Sequence, residues 1–365
     1  MRTLKQRMFL AMSEKKEIGS FFELADSSII SAEENFVPKQ FADTLWVPSG
    51  RDAFIALAKN FGEKKTLHVP FYYCHLTLEI IKRNFNVKHY EDLPTEPSPR
   101  FETINAKPGD LILAVNFFGS RNADTWKQFA EANPTASIVE DHSHAPFSKW
   151  AKSSCAEFSL ASLRKSFPLP CGGYLRGKQL KHLEAPKGGE YEANEIRAQY
   201  LKTLYCAGAK IDTKSFIDLF LKVEAHYDNN NDWAEMSDMA KEVLVHLDID
   251  KMQSLRESNF GAISPYIDGS FYTFINRETS DKFSRFNPTF VLKDFETREA
   301  LQKTLSANGI YPTVLWNIEK NTESEEARKL SDSIITVPLD FRCSARECEF
   351  VGNILKKFAG KKIKA

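Results

Sequence analysis

The sequence predicts an α/β protein: a mainly parallel central sheet in a large domain, followed by a smaller α+β C-terminal domain. Three observations predict it. Short apolar runs alternate with amphipathic stretches from about residue 45 to 185. Some of those runs are apolar at nearly every position, as strands buried on both faces of a parallel sheet must be. From residue 190 to 260 the pattern turns strongly helical, and after 265 it is mixed.

Taken in order, Thr66–Val69 reads as a short strand, and HLTLEIIKRNF after Pro70 as a helix. Val87–Tyr90 is the next strand, and Leu111–Phe117 (LILAVNF) is a continuous apolar run. Thr125–Asn133 gives a short helix and Ala136–Glu140 a buried strand ending at Asp141. Glu157–Leu163 and Gly173–Leu175 complete the set. Strand alternating with helix is the signature of a layered α/β structure. The later region adds a strand-like TFVL at 289–292, a helix ETREALQKTLSANG and a closing helix near ECEFVGNILKKF. The expected division is residues 1–260 for the large domain, with a helical extension at about 190–260, and 261–365 for the small one.

At 365 residues the chain is long enough for about two domains. Lys plus Arg and Asp plus Glu both number 49, so the formal charge is zero and no general attraction to nucleic acid or an anionic membrane is expected. The basic tail (Lys356, Lys357, Lys361, Lys362, Lys364) reads as a solvated helix end. Six cysteines without metal spacing read as reduced thiols. The apolar patch near the N-terminus is too short for a signal h-region, and no run reaches membrane-span length. A soluble, cytoplasmic protein is expected.

Ligands of open α/β sheets sit beyond the carboxyl ends of the strands, so the residues following each strand are the candidates. Pro48-Ser49-Gly50-Arg51 runs into a helix, and such a turn suits a phosphate through its free N–H groups and the helix dipole. Arg51 adds a possible charge-assisted contact; Ser49 as a plain helix cap is the simpler alternative. Asp141 ends a buried strand, where a carboxylate is costly without a positive partner. That partner is a protonated ring nitrogen in one reading; the plain alternative is a capping Asp or an ion pair with a nearby Arg. His142 and His144 invite a metal, but no third ligand stands at a recognisable spacing. In FSLASLRKSFPLPCGGYL, an apolar strand leads to Ser162, Lys165 and a Gly-Gly pair. A partly desolvated lysine beside Arg164 has its ammonium form disfavoured, the condition an amine needs to attack an aldehyde. The alternative is a surface lysine in a basic turn.

The ordered set SGRDA, VPFYYC, NFFG, VEDHSHA and SLRKSFPLPCGG resembles the fold-type I pyridoxal-phosphate (PLP) enzymes, specifically the DegT/StrS-type aminotransferases known for aminating nucleotide-linked keto-sugars. The likeness runs from about residue 18 to 185 and continues more loosely through a helix with Arg256 and Asn259 and through NGIYPTVLW and IITVPLDFR. It implies that Lys165 carries PLP as a Schiff base and shuttles the proton between substrate Cα and the cofactor. It further implies that Asp141 keeps the pyridine nitrogen protonated, and that His144 replaces a glutamine contacting the ring. Gly50 and Arg51 match the phosphate turn, and Ser162, or else Ser159, supplies a hydroxyl to the same phosphate. Counting from Pro70 places Cys74 at the ring-stacking position, with Tyr73 and His75 on either side. Departures from the family pattern at Arg51, at His142-Ser143-His144 and at Leu160 mark a divergent member.

The expected activity is therefore transfer of an amino group from an amino acid such as glutamate to a keto-sugar, nucleotide-linked or not, or a similar carbonyl acceptor. A homodimer is implied by the resemblance alone. The competing readings are a PLP lyase, dehydratase or sulfur-transfer enzyme using Cys74 or Cys171, and a non-catalytic protein on the same fold. No Gly-x-Gly-x-x-Gly follows any strand, which disfavours a dinucleotide enzyme.

Overall fold

In the computed structural model, residues 17–154, 156–177, 180, 189–279 and 281–362 are described. Cys155, Lys364 and residues 1–16 of the N-terminal segment lie outside that set.

A short strand β1 (Ile18–Gly19) precedes the main sheet. The sheet then contains β2 (Thr44–Val47), β3 (Thr66–Pro70), β4 (Asn86–Tyr90), β5 (Leu111–Val115), β6 (Ser137–Asp141), β7 (Phe158–Ser162) and β8 (Gly173–Gly177). Their order is β2-β8-β7-β6-β5-β3-β4, and only β8 runs against its neighbours. The continuous apolar run in β5 has a direct cause. Leu111, Leu113 and Val115 point into one core with Val139 and Leu160, whereas Ile112 and Ala114 point into another with Trp126, Ile138 and Trp150. Both faces are covered, so neither parity tolerates a polar residue.

The run LILAVNF was expected to be strand to Phe117, but β5 stops at Val115. The Asn116 N–H turns to the carbonyl of Asp141, and Phe117–Gly119 forms a 3-10 turn with Phe118 at φ 52°. This turn reaches the carboxyl end of the sheet, where β6 ends at Asp141 and β7 gives way to the turn Leu163–Lys165.

The helical region contains Glu190–Cys206, Thr213–Asn229, Asp238–His246 and Ile249–Ile263. Beyond it, β9 (Thr273–Phe274), β10 (Thr289–Val291) and β12 (Ile334–Thr336) form an antiparallel sheet ordered β12-β10-β9. Helices Phe295–Ser306 and Ala345–Lys362 cover it, around a core that includes Phe290, Leu301, Ile335 and Val351. Ile18 joins that same core, because β1 pairs in parallel with β11 (Ile310–Tyr311). Among the described residues no helix is long and apolar enough to cross a membrane.

Candidate active site

A cavity of about 440 Å³ opens at the carboxyl ends of β6 and β7. Seven of the eight sequence-predicted residues line it: Gly50, Arg51, Tyr73, Cys74, Asp141, Ser162 and Lys165. His144 does not line it and lies in the aromatic layer alongside.

Asp141 is buried, and its carboxylate is fixed by two donors. The Tyr73 hydroxyl donates to Oδ2 at 2.6 Å, and the Ser143 backbone N–H donates to Oδ1 at 2.8 Å. Neither donor carries charge. Burial first, and the Asp141 carboxylate second, push the Tyr73 hydroxyl well above its ordinary range, so Tyr73 stays protonated and acts as donor.

His144 stacks against Phe286, Phe118 and Trp316, with ring centres 4.5, 5.1 and 5.3 Å away. Its Nδ1 accepts the Phe118 backbone N–H at 3.1 Å, which places the ring proton on Nε2. Burial, with a smaller contribution from Lys165, holds its pKa well below the usual value, so the ring is neutral. Nε2 is buried without a hydrogen-bond partner.

Lys165 closes the turn after β7, and its Nζ lies 5.7 Å from the centre of the Trp316 ring. No ion pair involves it among the described residues. Its turn is tethered by fully buried Arg256, which donates to the Ser166 carbonyl at 2.5 Å and the Phe286 carbonyl at 2.9 Å. Arg256 thereby ties the lysine turn to the C-terminal part of the chain. Asn259, one turn further along that helix, bonds the carbonyls of Asp340 and Cys343.

Ser49 caps the Gly50–Phe61 helix, its hydroxyl accepting from the backbone N–H groups of Arg51 and Asp52. The turn is packed tightly against β7 and β8. A Cβ on Gly50 would stand 3.1 Å from Ser162 Cβ, and one on Gly173 would fall 2.8 Å from the Ser49 carbonyl carbon. Ser162 is anchored through its backbone N–H to Ser143 Oγ at 3.0 Å. Ser159 sits on the other strand parity, buried and away from the cavity. Arg51 makes ion pairs of 3.0 Å with Glu224 and with Asp228, so its guanidinium is already engaged by carboxylates.

At the expected ring-stacking position the structure gives three neighbours distinct places. Tyr73 bonds Asp141, Cys74 lines the cavity as the cap residue of the His75–Asn84 helix, and His75 faces a neighbouring cavity that Tyr73 also lines. Burial pushes the Cys171 thiol up to about 12, so it is not a reactive thiolate. Cys74, Cys171, Cys206, Cys343 and Cys348 are free thiols.

Sequence reasoning missed Trp316, Glu195 and Glu224. Trp316 lay within a quoted segment but had no role; Tyr72 holds it in place by bonding the Leu315 carbonyl and the Trp316 N–H. Glu195 and Glu224 stand on amphipathic helices with no motif around them, so no sequence signal pointed to them.

The architecture is shared, over nearly the whole chain, with solved structures of aminotransferases. Spr1654 of Streptococcus pneumoniae, assigned as a sugar aminotransferase, superposes with a TM-score of 0.69 at 15% identity over 95% of this chain and 98% of its own. That protein has also been solved in PLP and PMP forms. Helicobacter pylori PseC, an aminotransferase of pseudoaminic acid biosynthesis, gives 0.61 at 12% identity over 94% and 100% of the two chains. A DegT DnrJ EryC1 StrS aminotransferase from Brucella abortus gives 0.55 at 12% identity over 90% and 89%. No family model and no curated protein matches the sequence.

Proposed function

We propose that the protein is a PLP-dependent aminotransferase, a divergent DegT/StrS-type member that moves an amino group from an amino acid such as glutamate to a keto-sugar or similar carbonyl acceptor. The carrying observation is that Lys165, the buried Asp141 carboxylate and the Ser49-Gly50 turn, from separate stretches of the sequence, surround one cavity. The residues fit the cofactor. Asp141 offers a carboxylate held by neutral donors, His144 an orphaned Nε2–H, and Gly50 a cradle that a side chain would crowd. When bound, PLP supplies an electron sink for charge that develops at the substrate Cα.

The chain's own residues do the rest. Asp141 holds a proton on the ring nitrogen, and its two neutral donors fix the carboxylate without competing for that charge. Lys165 would supply the amine that holds the cofactor and would carry the substrate Cα proton. Arg256 positions the lysine turn. Gly50 and Ser162 would hold the phosphate, and the aromatic layer of Trp316, Phe286 and Phe118 would exclude water, with His144 beside the cavity in that layer and its Nε2–H available toward the ring oxygen. Tyr73 and Cys74 complete the ring's surroundings. We place the division between a large and a small domain near residue 260, and infer a cytoplasmic homodimer on the strength of the fold and the free thiols.

The test is direct. Protein loaded with PLP, reduced with borohydride and mapped by peptide mass should carry the label on Lys165. Glutamate should convert the bound cofactor to its amine form. A label elsewhere, or no conversion with any amino donor, defeats the reading.

A further inference from the structure

The phosphate end of the cavity already contains anions. Arg51 pairs with Glu224 and Asp228, both at 3.0 Å, and Arg164 pairs with Glu224 at 3.1 Å and Glu195 at 3.4 Å. Glu224 alone touches both guanidinium groups, one through each carboxylate oxygen. Arg51, Arg164, Glu195 and Glu224 line the same cavity as Gly50 and Ser162. Both guanidinium groups also keep a buried Nε–H without an acceptor. Two cations thus face three carboxylates. A phosphate dianion added to this arrangement unchanged would find both guanidinium groups already matched by carboxylates.

We propose that Glu224 is an internal surrogate for the cofactor's phosphate: on binding, the phosphate takes over Arg51 and Arg164 and Glu224 is displaced from their bridge. This rests on the reading of the cavity as a PLP site. It makes Arg164 and Glu224, which belong to no phosphate turn, the residues that set the preference for a phosphorylated cofactor. A planar guanidinium exchanges one oxyanion for another with little loss of hydrogen-bond geometry, because carboxylate and phosphate both accept its paired N–H groups. Glu224 itself is held ionised. Burial raises its pKa, but Arg164 and Arg51 outweigh burial and leave it below the ordinary value. Arg164 is additionally fixed over the Tyr227 ring, 4.7 Å from its centre, so it stays in place when its carboxylate partner leaves.

The experiment compares the affinities of cofactor-free protein for PLP and for pyridoxal, which lacks the phosphate, with inorganic phosphate as a competing ligand. Removing the surrogate charge in Glu224→Gln should raise the PLP-to-pyridoxal affinity ratio by about tenfold and tighten inorganic phosphate, with pyridoxal binding little changed. Glu224→Ala should act in the same direction and serves if the glutamine variant does not fold. Arg164→Gln should lower the ratio by about tenfold, with Gly50, Ser162 and Arg51 still contacting the phosphate. Asp228→Asn, whose carboxylate pairs with Arg51 and not with Arg164, should move it less than either Glu224 variant. A ratio unaltered in the folded Glu224 variants overturns the exchange. Failure of wild type to bind either PLP or pyridoxal removes instead the cofactor reading beneath it.

Discussion

At one end of the cavity Asp141 is held by a tyrosine hydroxyl and a backbone amide, with no cation paired to it among the described residues. At the other end, Arg51 and Arg164 are packed against Glu195, Glu224 and Asp228. Both ends need charge complementarity to a ligand, yet they reach it differently. A carboxylate bound by neutral donors is stabilised and still seeks a positive partner. Guanidinium groups bound by carboxylates are satisfied already, and a ligand there must exchange with a resident group. The comparison teaches that burial of a charge is tolerated either by dipoles, which leave the charge available, or by counter-ions, which consume it.

The largest expected effect tests the neutral-donor end. Asp141→Asn keeps the shape and removes the charge, and losing one side of a buried charge contact costs about 3 kcal/mol, or about a hundredfold in rate. The glutamate half-reaction, followed by stopped-flow absorbance, should slow accordingly. A rate within threefold of wild type would mean that the Asp141 charge has no part in the chemistry.

Next comes Asp52, whose carboxyl closes the helix turn at the charged end by accepting from Ser49 Oγ at 2.6 Å. Burial, only partly offset by the Ser49 hydrogen bond, pushes its pKa from 3.8 up to about 6. Between those values the folded protein keeps a proton that the unfolded chain releases, so this group's contribution falls as pH rises from about 4 to about 6. The full swing is about 3 kcal/mol. Urea midpoints across that pH range should therefore decline less steeply in Asp52→Asn than in wild type; parallel profiles would contradict the assignment.

Tyr73→Phe should cost about 1–3 kcal/mol of stability, because it strips a buried carboxylate of a donor. Tyr72→Phe makes a useful partner variant. It removes contacts to the Leu315 carbonyl and Trp316 N–H and leaves Asp141 untouched. Equal stability losses with cofactor affinity reduced only in Tyr73→Phe would sharpen the contrast; equal affinity losses would erase it. The smallest effect is expected for Gly50→Ala. Its new Cβ must push Ser162 by a few tenths of an ångström from 3.1 Å, while alanine favours the helix. Stability should change by less than about 1 kcal/mol, and affinity should fall for PLP more than for pyridoxal.

The strands of the main sheet were legible because each carries a local periodic signal. LILAV is apolar at every position and proved to be a central strand with both faces covered, whereas in SIVED only Ile138 and Val139, one on each face, carry the signal. The placement of Asp141 and Lys165 at the carboxyl ends of β6 and β7 follows from those strands. Their surroundings were less legible. The stacking position after Pro70 could not be assigned by counting, since Tyr73 and Cys74 both line the cavity in different roles. Trp316 comes to Lys165 from the segment between β11 and the Glu325–Ser333 helix, and Glu224 from within a long helix.

What the sequence determined alone is therefore which chemical groups stand at the strand ends, because strand ends are set by neighbours a few residues away. Only the tertiary structure decided what each of those groups faces. The proton on His144 Nε2 depends on a backbone amide at Phe118, and the engagement of Arg51 depends on two carboxylates on the Thr213–Asn229 helix. Such pairings are decided by ångström distances between elements far apart in the chain, and electrostatic energies that vary as inverse distance leave no periodic trace along it.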